Sequence, residues 1–364
     1  MYENIIFMNR LIELAKGEKV FYIMTRLWDY NDKIKSERVE MSVLNVLNRI
    51  FKQHEIACDY SIKTTFVPFR DSSQEKINQP NKTKIIYERD LERLRKLFSI
   101  IGFYDGASKD EGMSFEIGYA FAVGAPIFII RTDFTREELK SVPSSVLLFD
   151  PIIEAMASKI LYSYKIPEVE ASYTEKLTLG YEEIFTKLEK ILFDELNNTD
   201  YYKLPIQKEE SNDIYIDFGG GMYEWENLLQ EKIYSALALE GFNCLVANRF
   251  EKTTYNDFNN NILQVGLSDI EKARKSKIII TCSDNNEMSA GTAAIQGMAR
   301  ALNKNVILYD SKTTNKIADG QYRSSRNLMI DFSADKIARK FDDIVPLVKE
   351  QYQEDKLKNK PNIG

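Results

Sequence analysis

The feature that most constrains the fold is an order of strands and helices that occurs twice along the chain. In the first copy, short continuous apolar runs alternate with stretches of helical periodicity. They predict strands at 20–24, 99–104 and 127–130, and helices at 37–52 and 113–123. The helix at 37–52 is expected to turn Met41, Val43, Leu44, Val46, Leu47 and Ile50 inward. Buried strands separated by helices indicate a parallel sheet that is covered on both faces.

The same order restarts near residue 213. It predicts strands at 213–217, 277–281 and 305–309, with helices at 226–240 and 291–302. We therefore predict an α/β protein of two tandem, doubly wound domains with parallel sheets, flavodoxin-like or Rossmann-like in topology.

A constant offset relates the two copies over their central part. An offset of 179 residues takes Asp90 to Asp269, Asp105 to Asp284, Gly112 to Gly291 and Gly118 to Gly297. Matches at one offset, inside the same order of elements, indicate a tandem repeat. The predicted domains are a first repeat at 1–165, a helical connector at 166–207, a degenerate second repeat at 208–352 and a disordered tail at 353–364.

Composition excludes several functional classes. The net charge of −6 and pI near 5.3 argue against nucleic acid as a partner. The 3 cysteines show no Cys-x-x-Cys pairing, which argues against a zinc site and favours a reducing compartment. No apolar run approaches the roughly 20 residues that span a membrane. We expect a cytoplasmic, soluble protein with no metal and no cofactor.

Histidine-based catalysis is also disfavoured. His54 is the only histidine and lies in a polar stretch without a nucleophile motif around it. Serine–histidine or cysteine–histidine chemistry would have to use this residue. Any catalysis is therefore expected to depend on carboxylates.

The segment from Asp110 to Pro126 combines carboxylates with a small-residue helix and leads into a buried strand. In open parallel sheets, ligands bind beyond the carboxyl ends of the strands, where Tyr22, Asp105, Asp110 and Glu116 are expected. We predict Glu116 in the first helical turn, where the helix dipole favours an ionised carboxylate suited to nucleophilic attack. The alternative is a purely structural acid, worth about 0.3–1 kcal/mol in such a turn.

This segment resembles the signature of the nucleoside 2-deoxyribosyltransferase family. There, Asp-x-Gly, three residues, Glu-(Ile/Leu)-Gly-(Tyr/Met)-Ala runs into Gly-x-Pro and a strand. The resemblance implies that Glu116 is the nucleophile, that Tyr22 holds it, and that Asp90 and Asp110 bind the base. Gly112 is then expected to contact the substrate.

The second repeat lacks the nucleophile. At the offset of 179, Glu116 falls on Ile295 and Asp110 on Ser289. Gln296 is adjacent to Ile295 but would point about 100° away around a helix, so it is a poor substitute.

The second repeat carries a different part of the family pattern. Asn327-Leu-Met329 resembles the family's Asn-x-Met segment, which reaches into the neighbouring subunit's site, whereas the corresponding place in the first repeat has Val146 and Leu148. The resemblance then implies a fused pseudo-dimer with one active site, completed by Asn327 and Met329. The alternative is that Asn327 ends a strand and Met329 packs in the core.

Three functions stay open at this point. The first is transfer of 2-deoxyribose between nucleobases, with a nucleoside and a free base as partners. The second is hydrolysis of a nucleoside or nucleotide by the same fold; Arg26 lies where a phosphate would bind, but no Gly/Ser-rich loop surrounds it. The third is a non-catalytic nucleotide-sensing module. Further oligomerisation beyond the pseudo-dimer is left open.

Overall fold

The computed structural model describes residues 2–26, 30–59, 63–71, 82–105, 110–132, 137–138, 146–147, 150–163, 168–197, 205–207, 211–219, 224–247, 261–283, 288–311 and 327–358. The chain divides into two compact units. Unit 1 comprises Met1–Thr135 and Met156–Ile206, and unit 2 comprises Arg136–Ala155 and Gln207–Gly364. A segment numbered within the first repeat therefore belongs to unit 2.

Unit 1 is built on a parallel sheet with helices around it. Its strands are β1 (Val20–Met24), β2 (Thr65–Phe66), β3 (Leu97–Phe103), β4 (Ile127–Arg131) and β7 (Lys159–Tyr162). Its helices are α1 (Tyr2–Ala15), α2 (Tyr30–Gln53), α3 (Pro68–Asp71), α4 (Lys82–Arg95), α5 (Glu111–Ala122) and α7 (Tyr173–Leu196). Every residue of β1, β3 and β4 is buried, which confirms the strands predicted from continuous apolar runs.

The inner face of α2 is narrower than predicted. Val39, Val43, Val46, Leu47 and Ile50 join the core as expected of a stripe with helical spacing. The prediction was wrong for Met41 and Leu44, which are 57% and 36% exposed. Both lie more than about 100° around the helix from the centre of the buried stripe, because successive residues advance by about 100°.

The helix predicted as a connector, α7, is part of the core of unit 1. Its buried face includes Ile184, Leu188 and Leu192, which pack in the same cluster as α2. Polar pairs join the two helices along their length: Arg38 with Glu182 at 2.5 Å, and Asn45 Nδ2 with Glu189 Oε1 at 3.1 Å.

Unit 2 repeats this architecture. Its parallel strands are β8 (Ile214–Asp217), β9 (Cys244–Val246), β10 (Ile278–Cys282), β11 (Asn305–Tyr309) and β12 (Lys336–Ala338). Its helices are α6 (Pro151–Met156, whose last residue falls in unit 1), α8 (Glu224–Leu239), α9 (Ile262–Lys275), α10 (Ala290–Ala301), α11 (Leu328–Ser333) and α12 (Ile344–Lys358), with a 3-10 turn at Phe341–Asp343. A short antiparallel pair joins β5 (Glu137–Glu138) to β6 (Val146–Leu147).

The two sheets have the same topology. Within the described residues, each is five-stranded and parallel, in the orders β2-β1-β3-β4-β7 and β9-β8-β10-β11-β12. Counted within its own repeat, each sheet runs second, first, third, fourth, fifth, which is the flavodoxin-like order. The predicted fold class, two tandem doubly wound α/β domains, is confirmed.

The register of the repeat is maintained around its central helix. Helices α5 and α10 begin and end at positions 179 residues apart. Two residues after each helix ends, Gly124 and Asn303 adopt the left-handed conformation, with φ of 70° and 51°. Gly and Asn are the residues that favour this conformation after a helix. The same stop signal therefore operates in both repeats.

The predicted disordered tail begins too early. Helix α12 continues to Lys358, so the prediction is wrong for residues 353–358, while 359–364 lie outside the described residues. Within the extension, Glu354 pairs with Lys336 at 3.0 Å; just before it, the Tyr352 ring stacks on Phe242 at 5.2 Å.

Candidate active site

The centre of the candidate site is a buried hydrogen bond between strand β1 and helix α5. The Tyr22 hydroxyl donates to Glu116 Oε1 at 2.6 Å. Tyr22 is fully buried, and Glu116 is 6% exposed. Two residues that are 94 positions apart in sequence are thus brought together, as the family resemblance implied.

Asp110 fixes the start of α5. Its Oδ1 accepts from the backbone N–H of Met113 at 2.9 Å, so it is the N-cap and the helix begins at Glu111. Glu116 consequently lies in the second turn. The prediction of a first-turn position was wrong, because the helix starts two residues earlier than its apolar pattern indicated.

Asp90 completes a group of three carboxyl residues. It lies on α4 and is 5% exposed. The charges of Asp90 and Asp110 both act on Glu116, and that of Asp90 also acts on Tyr22. Tyr22, Asp90, Asp110 and Glu116 are therefore close enough to interact electrostatically.

This environment alters the protonation of Glu116. Burial is the main cause that raises its pKa well above the usual value, and the charges of Asp90 and Asp110 add to it; the hydrogen bond from Tyr22 acts in the opposite direction. The expectation that the helix dipole keeps this carboxylate ionised is corrected, because the second turn lies beyond the free N–H groups. Burial and the nearby Glu116 likewise raise the pKa of Tyr22, so it stays a proton donor.

Phe66 is a neighbour of the site that the sequence analysis missed. It pairs with Tyr22 in the register of β1 and β2, and the two rings lie 5.2 Å apart. The Arg93 guanidinium in turn lies 5.7 Å from the Phe66 ring. A two-residue edge strand is too short to recognise from periodicity, so no sequence signal identified Phe66.

The remaining predicted residues are found on helix starts. Gly112 is buried in the first turn of α5. Asn327 is the N-cap of α11, where its Oδ1 accepts from the backbone N–H of Met329 at 2.9 Å. Met329 is itself buried. Asn327 thus starts a helix, whereas the structural alternative expected it to end a strand.

The correspondence between the repeats at this point is corrected. Asp150 accepts from the N–H of Ile152 at 2.9 Å, as Asn327 does from Met329. Each residue precedes a six-residue helix, α6 or α11, and each helix is followed by the last strand of its sheet. Asn327 therefore corresponds to Asp150 and not to Val146, because the offset here is 177 and was misjudged across unequal loops.

Asp150 also contacts the start of α10, within unit 2. Its Oδ2 accepts from the N–H of Gly291 at 3.1 Å. A Cβ atom on Gly291 would lie 2.3 Å from Asp150 Oδ1, so this position requires glycine. A carboxylate is well placed against the free N–H groups of a helix N-terminus.

The second repeat has a different interior at the equivalent place. Ile295 is fully buried where Glu116 would be, and Ser289 caps α10. The register of the strands makes Tyr215 the equivalent of Tyr22. Its hydroxyl is 3.5 Å from Asp217 Oδ2. The Gln296 amide forms hydrogen bonds with the Thr281 and Ser333 hydroxyls. It therefore does not substitute for the nucleophile.

The described part of the chain shows neither a metal cluster nor a membrane-spanning helix. No group of three or more His, Cys, Asp and Glu residues there is arranged to hold a metal ion. Among the helices in those ranges, none combines the length and the apolar character needed to cross a bilayer.

The strand order defines an α/β protein, and the buried tyrosine–carboxyl group is a candidate site in its first unit. Residues 43–155 match the family model described as nucleoside 2-deoxyribosyltransferase. This range includes Asp90, Asp110 and Glu116. The matched range is therefore similar to a nucleoside 2-deoxyribosyltransferase domain; residues 43–135 of it lie in unit 1 and residues 136–155 in unit 2.

Two other comparisons add little. A search of the curated proteins finds no match to this chain. Among solved structures, a conserved protein from Enterococcus faecalis V583 is 16% identical, covers 49% of this chain and 97% of its own, and has a TM-score of 0.28.

Proposed function

We propose that this protein transfers 2-deoxyribose between nucleobases through a covalent intermediate on Glu116. The observation that carries the proposal is the buried Tyr22–Glu116 hydrogen bond, with Asp90 and Asp110 beside it, in a unit with a matching family domain. This arrangement supports carboxylate chemistry on a glycosidic bond.

In the proposed reaction, a Glu116 oxygen forms a bond to the anomeric carbon as the bond to the departing base breaks. The positive charge that develops on the sugar is stabilised by the nearby carboxylates. Asp110 or Asp90, when protonated, gives a proton to the departing base. A second base, or water, then attacks the same carbon, gives a proton back to that aspartate and releases Glu116. Attack requires the ionised form of Glu116. Burial and the charges of Asp90 and Asp110 oppose this form by raising the pKa, and the Tyr22 hydrogen bond favours it.

We further propose that Asn327 and Met329 of the second repeat complete the site, as the family resemblance implies. The equivalence of Asn327 and Asp150 supports a role at a helix start, since Asp150 bonds to Gly291 of α10, the counterpart of Gly112 of α5.

Two substitutions of Asn327 separate this role from capping. Asn327→Ser retains a capping oxygen, whereas Asn327→Ala removes it at a cost of about 1 kcal/mol in stability. Both are expected to lower kcat/KM about tenfold, as loss of a hydrogen bond does. If Asn327→Ser has wild-type kcat/KM, the amide does not act in the site.

The second candidate is hydrolysis of a nucleotide by the same residues. Arg26 favours it: the guanidinium lies just after β1, its Nη1 donates to the Asp105 carbonyl oxygen at 3.1 Å, and its Nε has no partner among the described residues. A cation at this edge of the sheet suits a phosphate group. Water would then replace the accepting base.

One experiment distinguishes these candidates from a sensing module. The protein is incubated with a 2-deoxynucleoside, or its 5-phosphate, together with a different free base, and the products are separated by chromatography. Exchange of bases supports the transferase. Release of deoxyribose, or of its phosphate, without exchange supports the hydrolase. Binding without either product supports the sensor.

The nucleophile is tested separately by trapping. A 2-fluoro-2-deoxynucleoside should leave a stable sugar adduct that peptide mass spectrometry locates on Glu116. Glu116→Gln is the control and should form none while it remains folded. An adduct on any other residue would remove Glu116 from this role.

A further inference from the structure

A second buried tyrosine contacts α5 on the side of Asp110. Tyr104 directly follows β3, and its backbone N–H donates to the Ile130 carbonyl at 2.8 Å, which fixes it to β4. Its side chain is buried. The hydroxyl lies 2.6 Å from Oγ of Ser114, which is also buried.

The proton positions in this contact follow from the next bond. Ser114 Oγ lies 2.8 Å from the Asp110 carbonyl oxygen, which can only accept. The single proton of the Ser114 hydroxyl is therefore used there. In the Tyr104–Ser114 pair, the tyrosine must donate. The result is a directed chain from Tyr104 through Ser114 to the backbone of Asp110.

The second repeat shows that this chain is not needed to start the helix. At the offset of 179, Tyr104 corresponds to Ser283 and Ser114 to Ala293. Helix α10 nevertheless begins at the residue equivalent to the first residue of α5, with Ser289 as its cap. Ser283 Oγ is buried and has no hydrogen-bond partner within the described ranges. The chain is present only in the repeat that has the carboxylates.

We propose that Tyr104 and Ser114 are positioning residues for Asp110, an inference that rests on the proposed function. Asp110 at the N-cap of α5 and Glu116 within the helix are then each held by a tyrosine: Tyr22 of β1 donates to Glu116 directly, and Tyr104, just after β3, holds the backbone of Asp110 through Ser114. Since Asp110 is proposed to bind the base, the chain sets how well the accepting base is held.

The test is a kinetic comparison of Tyr104→Phe, Ser114→Ala and the double variant in the base-exchange assay. Each single variant should raise KM for the accepting base about tenfold, with a smaller change in kcat, as expected for one buried hydrogen bond. Because both residues act in one chain, the double variant should resemble the singles. Tyr309→Phe, a buried tyrosine of β11 in unit 2, is the matched control and should leave KM unchanged.

The outcomes separate positioning from packing. A lowered melting temperature with unchanged KM in the folded variants would overturn the proposal, and so would additive effects in the double variant. If the wild type neither exchanges nor hydrolyses, the proposed function fails; nucleobase Kd by calorimetry then replaces KM. Weaker binding by Tyr104→Phe and Ser114→Ala would support positioning, and unchanged or absent binding would overturn it.

Discussion

Helices α5 and α10 begin at equivalent positions of the two repeats, but one carries a buried carboxyl group where the other carries an apolar side chain. In unit 1, a carboxyl group is buried against Tyr22. In unit 2, the equivalent position is Ile295, and Tyr215 remains on its strand. The fold, the cap and the helix stop are therefore independent of the carboxylates. What distinguishes the repeats is chemistry placed on a common framework.

Several polar side chains around α10 in unit 2 form hydrogen bonds with one another. Asp217 Oδ1 accepts from the Gly219 N–H at 3.0 Å and from Thr292 Oγ1 at 2.7 Å, and Gln296 bridges to Thr281 and Ser333. In unit 1, by contrast, burial and like charges disfavour the ionised form of Glu116. A buried carboxyl group with a raised pKa is typical of functional sites, where a loss of stability accompanies activity.

The largest expected effect comes from placing a glutamate in the second repeat at the position equivalent to Glu116. Ile295→Glu should reduce the free energy of unfolding by about 3 kcal/mol or more, because it buries a carboxylate without a built partner. Urea denaturation followed by circular dichroism measures this. Ile295→Val is the size control and should cost about 1 kcal/mol. A fully stable Ile295→Glu protein would mean that unit 2 can still hold the acid.

A matched pair of tyrosine substitutions tests whether the hydroxyl matters only in unit 1. Tyr22→Phe should lower kcat about 10- to 100-fold, since it removes a hydrogen bond to a charged group. Tyr215→Phe, at the equivalent position, should leave kcat within about twofold, because it lies in the repeat that has Ile295 in place of Glu116. Equal losses in the two variants would contradict the assignment of the site to unit 1.

The smallest effect concerns pH. The folded-state pKa of Glu116 is raised above its unfolded value, so the native state binds more protons between the two values, and stability falls as pH rises through that window. The slope from one such group is at most about 1.4 kcal/mol per pH unit. Glu116→Gln removes this titration.

Melting temperatures from pH 4 to 8 provide the measurement. Glu116→Gln should gain stability relative to the wild type as pH increases, and the two proteins should converge in acid, where Glu116 is protonated in both the folded and the unfolded chain. A constant difference across this range would show that Glu116 titrates normally.

Most of the fold could be predicted from the sequence because its signals are local. Continuous apolar runs identified β1, β4 and β11, and one offset aligned α5 with α10. Sequence-based prediction was wrong where a position depends on contacts formed only in the folded chain. The start of α5 depends on the cap by Asp110, and the equivalence of Asn327 with Asp150 depends on loops of unequal length.

For the candidate site, the sequence predicted which residues come together. A spacing motif identified Asp110 and Glu116, and the resemblance added Tyr22 and Asp90. Nothing in the spacing indicated Phe66 or the Tyr104–Ser114 pair, because each depends on side chains from different elements meeting in the folded unit. The raised pKa of Glu116 likewise follows from burial, which the helical pattern alone did not reveal.

The membership of Arg136–Ala155 in unit 2 has a consequence for synthesis on the ribosome. These residues emerge before the rest of unit 2, so Asp150 must wait for more than 130 residues until Gly291 has been made. At about 5–20 residues per second, that interval is on the order of ten seconds. Unit 1 can acquire its central strands in this time, whereas unit 2 cannot be completed until late. A fragment that begins at residue 208 would lack the carboxylate that Gly291 binds.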